Sequence, residues 1–220
     1  MRFSDDGLIP AIAQDARTGE IRMVAWMTRE ALGLTLEMWR ATFFSRSRGS
    51  LWKKGESSGH ELLVRAVGTD CDEDVVLLLV EPRGPSCHTG RPSCFFRTIA
   101  PDGSVHDDER GVAPILLALE REIAAREAST AKASYTKSLL EAGPREIGAK
   151  IREEADEVAR AIEGESPARV ASEAADVVYH LMVGLRARGI EWADVTAELA
   201  RRMGTSGHAE KASRVDPSDA

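Results

Sequence analysis

Cysteine is scarce in this chain, with three in 220 residues. An odd, small number does not build a disulfide framework and fits reduced thiols in a cytosol. Long apolar runs are also missing. The longest, Val75 to Val80, falls far short of the ~20 residues that cross a bilayer. The first residues, Met1 to Asp6, carry acids and no apolar stretch, so a secretory signal is not expected. Positive charge is in deficit: 29 Lys and Arg stand against 36 Asp and Glu, a net charge of −7. That argues against a general nucleic-acid partner. Small anionic substrates remain possible, because they need only a local basic pocket. A cytoplasmic enzyme without a membrane partner is the expectation. What is present suffices for cores, since 43% of the residues are hydrophobic and nothing has the composition of a disordered chain.

The two halves differ in texture. All five Phe, all three Cys and three of the four Trp lie before residue 100. This part reads as α+β, with short strands mixed with one helix. Leu8 to Asp15 and Ile21 to Met27 are apolar stretches split by the turn signal Thr18-Gly19. Thr28 is a plausible N-cap for a helix that follows it. Leu62 to Val67 and Val75 to Val80 look like strands, and Pro82 and Gly84-Pro85 end the second. A polar linker from Ala100 to Gly111 follows, with the acid run Asp107-Asp108-Glu109. From Pro114 the pattern is helical: Pro114 to Ala128, Tyr135 to Ala142, Glu146 to Glu163, Pro167 to Arg188 and Ala193 to Met203. Gly143-Pro144 and Gly164 to Pro167 punctuate these helices, and Gly189 reads as a C-cap. The expectation is an α+β domain over 1–108 and an all-α helical bundle over 109–220. The stretch from Gly204 reads as loose.

Asp70-Cys71-Asp72-Glu73-Asp74 packs four acids into five residues. In an extended chain alternate side chains share a face, about 6.6–6.8 Å apart. Asp70, Asp72 and Asp74 would then point one way and Cys71 the other. Three such carboxylates repel each other unless a cation sits between them, and Mg²⁺ suits oxygen ligands. Cys87 and Cys94 lie downstream, without the CxxC spacing of zinc knuckles. Three thiolates would leave a tetrahedral Zn²⁺ one open position, the arrangement of a catalytic site. Such a site supplies hydroxide near neutral pH, and His88 could pass protons to the leaving group. The alternatives stay open. Free cysteines are often small buried hydrophobes, His88 could be a fourth ligand closing a structural site, and an acidic pentapeptide is often a solvated turn.

Between Glu37 and Glu56 there is no acid, while Arg40, Arg46, Arg48, Lys53 and Lys54 fall inside the stretch. Ser45-Arg46-Ser47-Arg48 and Trp52-Lys53-Lys54-Gly55-Glu56-Ser57-Ser58-Gly59-His60 mix cations, hydroxyls and glycines. That mixture suits phosphate oxygens. The competing reading is a solvated basic loop with Trp52 as a packing residue.

The last helices carry a second acidic set. At about 100° per residue, Ile151, Ala155, Val158 and Ile162 share one face, and Lys150, Glu153, Glu154 and Glu157 lie beside it. In the next helix Ala174, Val178, Leu181 and Leu185 share a face, with Glu173, Asp176 and His180 beside it. Packed on their apolar stripes, the two helices would bring five carboxylates to one groove edge. Mg²⁺ held there would bind a polyphosphate. A charged solvent face is the bland reading, but the i, i+3 pairs Glu154–Glu157 and Glu173–Asp176 are unfavourable without a cation.

Several stretches carry a resemblance. Gly7 to Pro10 with Gln14-Asp15, Phe43 to Arg48, Leu51 to His60, Asp70 to Asp74, and Gly84 to Gly90 with Ser93 to Phe96 resemble phosphoribosyl-AMP cyclohydrolase over about residues 5–97. Ser134-Tyr135-Thr136, Lys150 to Val158, and Glu173 to Asp176 followed by Tyr179-His180 resemble phosphoribosyl-ATP pyrophosphatase over about residues 114–203. Together the halves resemble bifunctional enzymes of histidine biosynthesis. The resemblance implies Zn²⁺ on Cys71, Cys87 and Cys94, Mg²⁺ on Asp70, Asp72 and Asp74, and proton transfer by His88. It implies Mg²⁺ on Glu153, Glu154, Glu157, Glu173 and Asp176, with Glu154 nearest the apolar stripe and so most sensitive to loss. Ser45, Arg46, Ser47, Arg48, Trp52, Lys54, Gly55, Ser58, Gly59, His60 and Lys150 are the candidate substrate contacts. The implied substrates are phosphoribosyl nucleotides, bound by a homodimer whose zinc site spans two subunits. Rival readings are a housecleaning nucleotide pyrophosphohydrolase with a degenerate first half, and a non-catalytic zinc-binding module.

Overall fold

A computed structural model of the chain describes residues 1–108, 112–130 and 134–203. Glu109, Gly111 and the tail from Gly204 lie outside the described residues. The chain divides into two compact units, Met1–Ala118 and Leu119–Ala220. No helix among the described residues is long and apolar enough to cross a membrane.

The first unit is built on period-two burial. Strand β1 (Ile9–Asp15) buries Ile9, Ala11 and Ala13 on one face. Strand β6 (Val76–Pro82) does the same with Val76, Leu78 and Val80. These two pair in parallel within a six-stranded sheet. Strand β2 (Ile21–Met27) returns antiparallel to β1 through the turn at Thr18-Gly19, where Gly19 takes φ 74°. Asp15 closes that turn by accepting from the backbone N–H groups of Arg17 and Thr18. Helix α1 (Arg29–Met38) starts on Thr28, whose hydroxyl accepts from the Ala31 N–H as expected of an N-cap. Strand β5 (Leu62–Thr69) completes the edge beside β6, with a register shift at Arg65. Ile9, Met27, Phe43 and Leu62 are fully buried in the core, each contributing roughly 1.5–3 kcal/mol.

Three sequence expectations are corrected here. The basic stretch is not simply a loop: β3 (Thr42–Ser45) and β4 (Ser50–Lys53) form an antiparallel hairpin. Thr42 and Phe43 are buried, so the apolar half of this stretch decides its structure while its cations stay outside. The polar linker likewise holds a short hairpin, β7 (Arg97–Ile99) with β8 (Val105–Asp107). Arg97 pairs with Asp107 across it, a cross-strand contact that propensity alone does not signal. The acidic pentapeptide is not extended: β5 ends at Thr69 and β6 begins at Val76. Between them the chain turns, with Glu73 in the left-handed region at φ 63°.

The second unit is helical. Helix α2 (Ile115–Ala128) crosses from the first unit into it. Then come α3 (Tyr135–Ala142), α4 (Pro144–Gly164), α5 (Pro167–Ala187) and α6 (Trp192–Arg202). Ser134 caps α3 and Ser166 caps α5 through side-chain oxygens. Glu165 and Ser166 alone separate α4 from α5, so the two run antiparallel. Their approach is close at Gly184, where a Cβ would stand 3.3 Å from Cγ2 of Ile147. The contact face differs from the expected stripes. Ile147 and Ala161 are buried on α4, whereas Ile162 is 68% exposed. On α5 the buried residues are Glu173, His180, Met182 and Val183. The seam therefore passes through the acidic strips, and Glu173 sits inside it rather than at a groove edge.

Candidate active sites

The acidic turn gathers its carboxylates by its own hydrogen bonds. Asp70 Oδ1 accepts from the N–H groups of Asp74 and Val75 at 3.0 and 3.1 Å. The Thr69 hydroxyl donates to the Val75 carbonyl at 3.0 Å. Oxygens of Asp70, Asp72 and Asp74 then lie within 4.8 Å of one another. Loss of some surrounding water pushes the exposed Asp70 carboxyl up, but the Val75 and Asp74 N–H donors outweigh it and hold the group below its ordinary value. The hydrogen bond shared with Asp70, together with the charge of Asp72, pushes Asp74 up. Crowding of this kind is what a divalent cation relieves. Arg2 already supplies one positive charge, 3.1 Å from Asp72.

Beside this turn lies a cavity of about 360 Å³ whose lining includes Phe3, Leu8, Pro10, Trp26 and Asp74. The Arg46 guanidinium sits 4.7 Å over the Trp26 ring. Sequence reading missed Trp26, which looked like an ordinary strand residue. Trp52, by contrast, packs on Phe43 with ring centroids 5.2 Å apart. Arg46, Ser47 and Arg48 lie in the β3–β4 turn, and the hydroxyl of Ser45, the last residue of β3, accepts from the Arg48 N–H. Gly55 and Gly59 bracket the next loop at φ 86° and 75°. A Cβ on Gly55 would fall 2.5 Å from the Glu61 nitrogen, so only glycine fits. Ser58 accepts from the His60 N–H, and the His60 ring lies against Gly84.

Cys87 and Cys94 are held on one loop fastened to β2. The Cys94 N–H donates to the Arg22 carbonyl at 2.9 Å, and the Ser93 hydroxyl donates to the Ile21 carbonyl at 2.7 Å. Arg22 is itself buried, pairing with Glu20 at 2.8 Å and Asp15 at 3.8 Å and donating to Ser86. Nothing in the strand pattern announced this ion network. Behind the loop, Arg91 and Arg97 sit over Phe96 at 4.3 and 5.2 Å, and both pair with Asp107. The two thiols lie close enough to act on each other's ionisation. Cys94 is open to solvent on one side, yet burial of the rest pushes its thiol up to about 11, with Cys87 adding to the rise. Burial also opposes ionisation of Cys87, but the Thr89 donors outweigh it and leave that thiol lowered. Thr89 Oγ1 stands 3.1 Å from the Cys87 sulfur and His88 Nδ1 stands 4.0 Å from it. Burial pushes the nearby Lys54 down, against the pull of both sulfurs. Cys71, on the acidic turn, does not join them: among the described residues no metal-sized trio includes the thiols.

In the second unit Glu154, Glu157 and Glu173 bring oxygens within 4.8 Å of one another. Glu173 is only 2% exposed. Burial first, then a hydrogen bond with Glu157, raises its carboxyl, while Arg169 at 2.7 Å opposes the rise. Arg169 was not foreseen in the sequence. Glu153 and Asp176 are exposed and stand outside the trio, Glu153 paired with Lys150 at 2.8 Å. Beside the trio, Tyr135 contacts His180 at 3.0 Å and Thr136 contacts Tyr179 at 2.8 Å.

Comparison with known proteins agrees with these two units in order. The family model described as phosphoribosyl-AMP cyclohydrolase matches residues 23–96. The model described as phosphoribosyl-ATP pyrophosphohydrolase matches residues 116–203. The histidine biosynthesis bifunctional protein HisIE of Wolinella succinogenes is 45% identical over 95% of this chain and 93% of its own. The proteins of the same name from Caldanaerobacter subterraneus and Bacillus subtilis are each 43% identical over 92% of this chain, covering 96% and 94% of their own. The chain belongs to the family of bifunctional histidine-biosynthesis enzymes, with an N-terminal cyclohydrolase domain and a C-terminal pyrophosphohydrolase domain.

Proposed function

We propose that the chain carries out two successive hydrolyses on one phosphoribosyl nucleotide, with the residues gathered above in specific roles. In the domain over 109–220, water adds to the α-phosphorus of phosphoribosyl-ATP and the bond to the β-phosphate breaks, releasing pyrophosphate. Glu154, Glu157 and Glu173 would hold Mg²⁺, with Glu153 and Asp176 at its rim. Lys150 stands one turn before Glu154 to meet phosphate oxygens. The carboxylate trio carries this reading. Three carboxylates whose oxygens lie within 4.8 Å of one another repel when ionised, and a divalent cation supplies positive charge beyond that of Arg169. Bound there, Mg²⁺ neutralises phosphate charge and orients the attacking water.

In the domain over 1–108, water adds to C6 of the purine of phosphoribosyl-AMP and the N1–C6 bond opens. Cys87 and Cys94 would hold Zn²⁺, which lowers the pKa of a bound water. Two neighbouring thiols, one lowered and one raised, suit a soft cation that displaces the remaining proton. The third thiol, Cys71, would come from a second copy of the chain, because one chain does not bring it to the other two. A homodimer follows from that reading. Asp70, Asp72 and Asp74 would hold Mg²⁺ beside the Trp26 cavity. Arg46, with Ser45, Ser47 and Arg48, would meet a phosphate, and Lys54, Gly55, Ser58, Gly59 and His60 would line the approach. Trp52 supports this surface from the core side. His88 stands beside Cys87 to move a proton to the leaving nitrogen. Reduced thiols and soluble nucleotide substrates fit a cytoplasmic enzyme.

The test is one incubation with phosphoribosyl-ATP, Mg²⁺ and Zn²⁺, followed by mass spectrometry. Wild type should yield pyrophosphate and the ring-opened product. Glu157→Gln should yield neither, and Cys94→Ser should stop at phosphoribosyl-AMP. Pyrophosphate release by Glu157→Gln at the wild-type rate would refute the assignment of the trio.

A further inference from the structure

Tyr135 and His180 have no role in the chemistry above, yet they adjoin it. Nδ1 of His180 lies 2.9 Å from the backbone carbonyl of Asp176. A carbonyl can only accept, so Nδ1 carries the proton. In the neutral ring Nε2 is then a bare acceptor, and the Tyr135 hydroxyl, 3.0 Å away, donates to it. The ring is thus pinned from both ends. Its 5% exposure leaves it little room to turn. The same Nδ1–H stands 3.6 Å from Oε1 of Glu154. That is beyond hydrogen-bond length, and the N–H is given to Asp176, but the polar edge of the ring is held beside a carboxylate that is only partly exposed. A second tether runs in parallel: Thr136 meets the Tyr179 hydroxyl at 2.8 Å, and Arg126 donates to Thr136. Two consecutive residues at the start of α3 therefore hold two consecutive residues of α5, one turn past Asp176.

We infer that His180 is a positioning residue for Glu154, fixed in tautomer and orientation by Tyr135, and that this pair sets how tightly the carboxylate trio takes a divalent cation. The inference rests on the trio being the Mg²⁺ site. Groups that orient ligands in this way typically change metal affinity by about 10–100-fold when removed. The chemistry names a discriminating pair of variants. Asparagine places an amide N–H where Nδ1 stands. Glutamine places its amide nearer Nε2 and leaves the Nδ1 position without a donor.

The experiment measures Mn²⁺ bound by electron paramagnetic resonance on the full chain carrying Asp72→Asn, which weakens the acidic turn as a competing site. It also measures pyrophosphate release against Mg²⁺ concentration. In that background His180→Asn should bind Mn²⁺ within about threefold of the parent, and His180→Gln about tenfold more weakly. Tyr135→Phe, at a half-exposed ring, should fold normally and weaken Mn²⁺ several-fold. Its pyrophosphate release should recover at high Mg²⁺ with KM for phosphoribosyl-ATP unchanged. A residue with only a packing role would give no such Mg²⁺ rescue. Equal Mn²⁺ binding by the parent, His180→Gln and Tyr135→Phe would overturn the inference, as would rates that stay low at saturating Mg²⁺. His180→Asn as weak as His180→Gln would also overturn it. A parent that takes up no Mn²⁺ at the trio would overturn the Mg²⁺ assignment itself, and the inference with it.

Discussion

Replacing Arg22 by methionine tests how the cysteine loop is supported. Arg22 is buried between Glu20 at 2.8 Å and Asp15 at 3.8 Å, and both acids are nearly inaccessible. Methionine fills similar volume but takes the guanidinium away from both Glu20 and Asp15. Breaking a buried pair by removing one partner costs about 3–5 kcal/mol. Asp15 suffers less, because the Arg17 and Thr18 N–H groups still serve it. A domain holds roughly 5–15 kcal/mol in total, so the loss is large. It should lower the melting temperature of the first unit by on the order of 10–20 °C. The decisive variant is the double one. Adding Glu20→Gln removes the charge that Arg22 faced and should return about 1.5–2.5 kcal/mol, a coupling in the range for contacting residues. Guanidinium denaturation followed by tryptophan fluorescence reads both costs. The Arg22 carbonyl still receives the Cys94 N–H, but Ser86 loses its donor, so zinc content per chain should also fall. A single-variant cost below about 1 kcal/mol, or strict additivity in the double, would refute this account of the network.

Gly55→Ala should destabilise the first unit by at least about 2 kcal/mol, since left-handed backbone alone costs roughly 1–2 kcal/mol and the new Cβ meets the Glu61 backbone; urea titration checks it. Glu154→Gln should cut pyrophosphate release at least about 100-fold, while ring opening of added phosphoribosyl-AMP stays normal in the same sample. Glu173 gives a pH prediction for the metal-free protein. Its carboxyl is raised by burial above the ordinary 4.5, so the folded state takes up a proton at higher pH than the unfolded chain. Stability of the second unit should therefore rise as pH falls through that raised value, with the gain complete below the ordinary one. Thermal melts of wild type against Glu173→Gln isolate the effect, and saturating Mg²⁺ should remove it.

The strands of the first unit were legible as apolar stretches bounded by turn signals, Leu8 to Asp15, Ile21 to Met27, Leu62 to Val67 and Val75 to Val80; which alternate residues face the core was not legible, because runs such as Val75 to Val80 are apolar throughout. The helices of the second were legible because Gly143-Pro144, Gly164 to Pro167 and Gly189 punctuate them. The acidic turn was found by its residues but not by its shape. An extended chain separates alternate acids, and only the backbone donors captured by Asp70 draw them together. The helical wheel placed Glu173 at a groove edge because it assumed contact on the most apolar line. Close approach at Gly184 instead rotates the seam toward the acids, which a single-helix pattern does not contain. The Arg22–Asp15 and Tyr135–His180 contacts were invisible for a related reason: each joins different segments, and no spacing along the chain reports it. Arg169 was legible in principle, because it pairs with Glu173 at i, i+4 within α5, and was missed because the wheel started at Glu173.

The carboxylate trio is complete within one chain, whereas the three thiols are not gathered by one chain. On the dimeric reading the two activities then differ in reaction order. Pyrophosphate release scales with the number of chains. Ring opening scales with the number of pairs, so on dilution below the dimer dissociation constant it falls with the square of concentration. A dilute sample would pour out the intermediate, and a concentrated one would consume it.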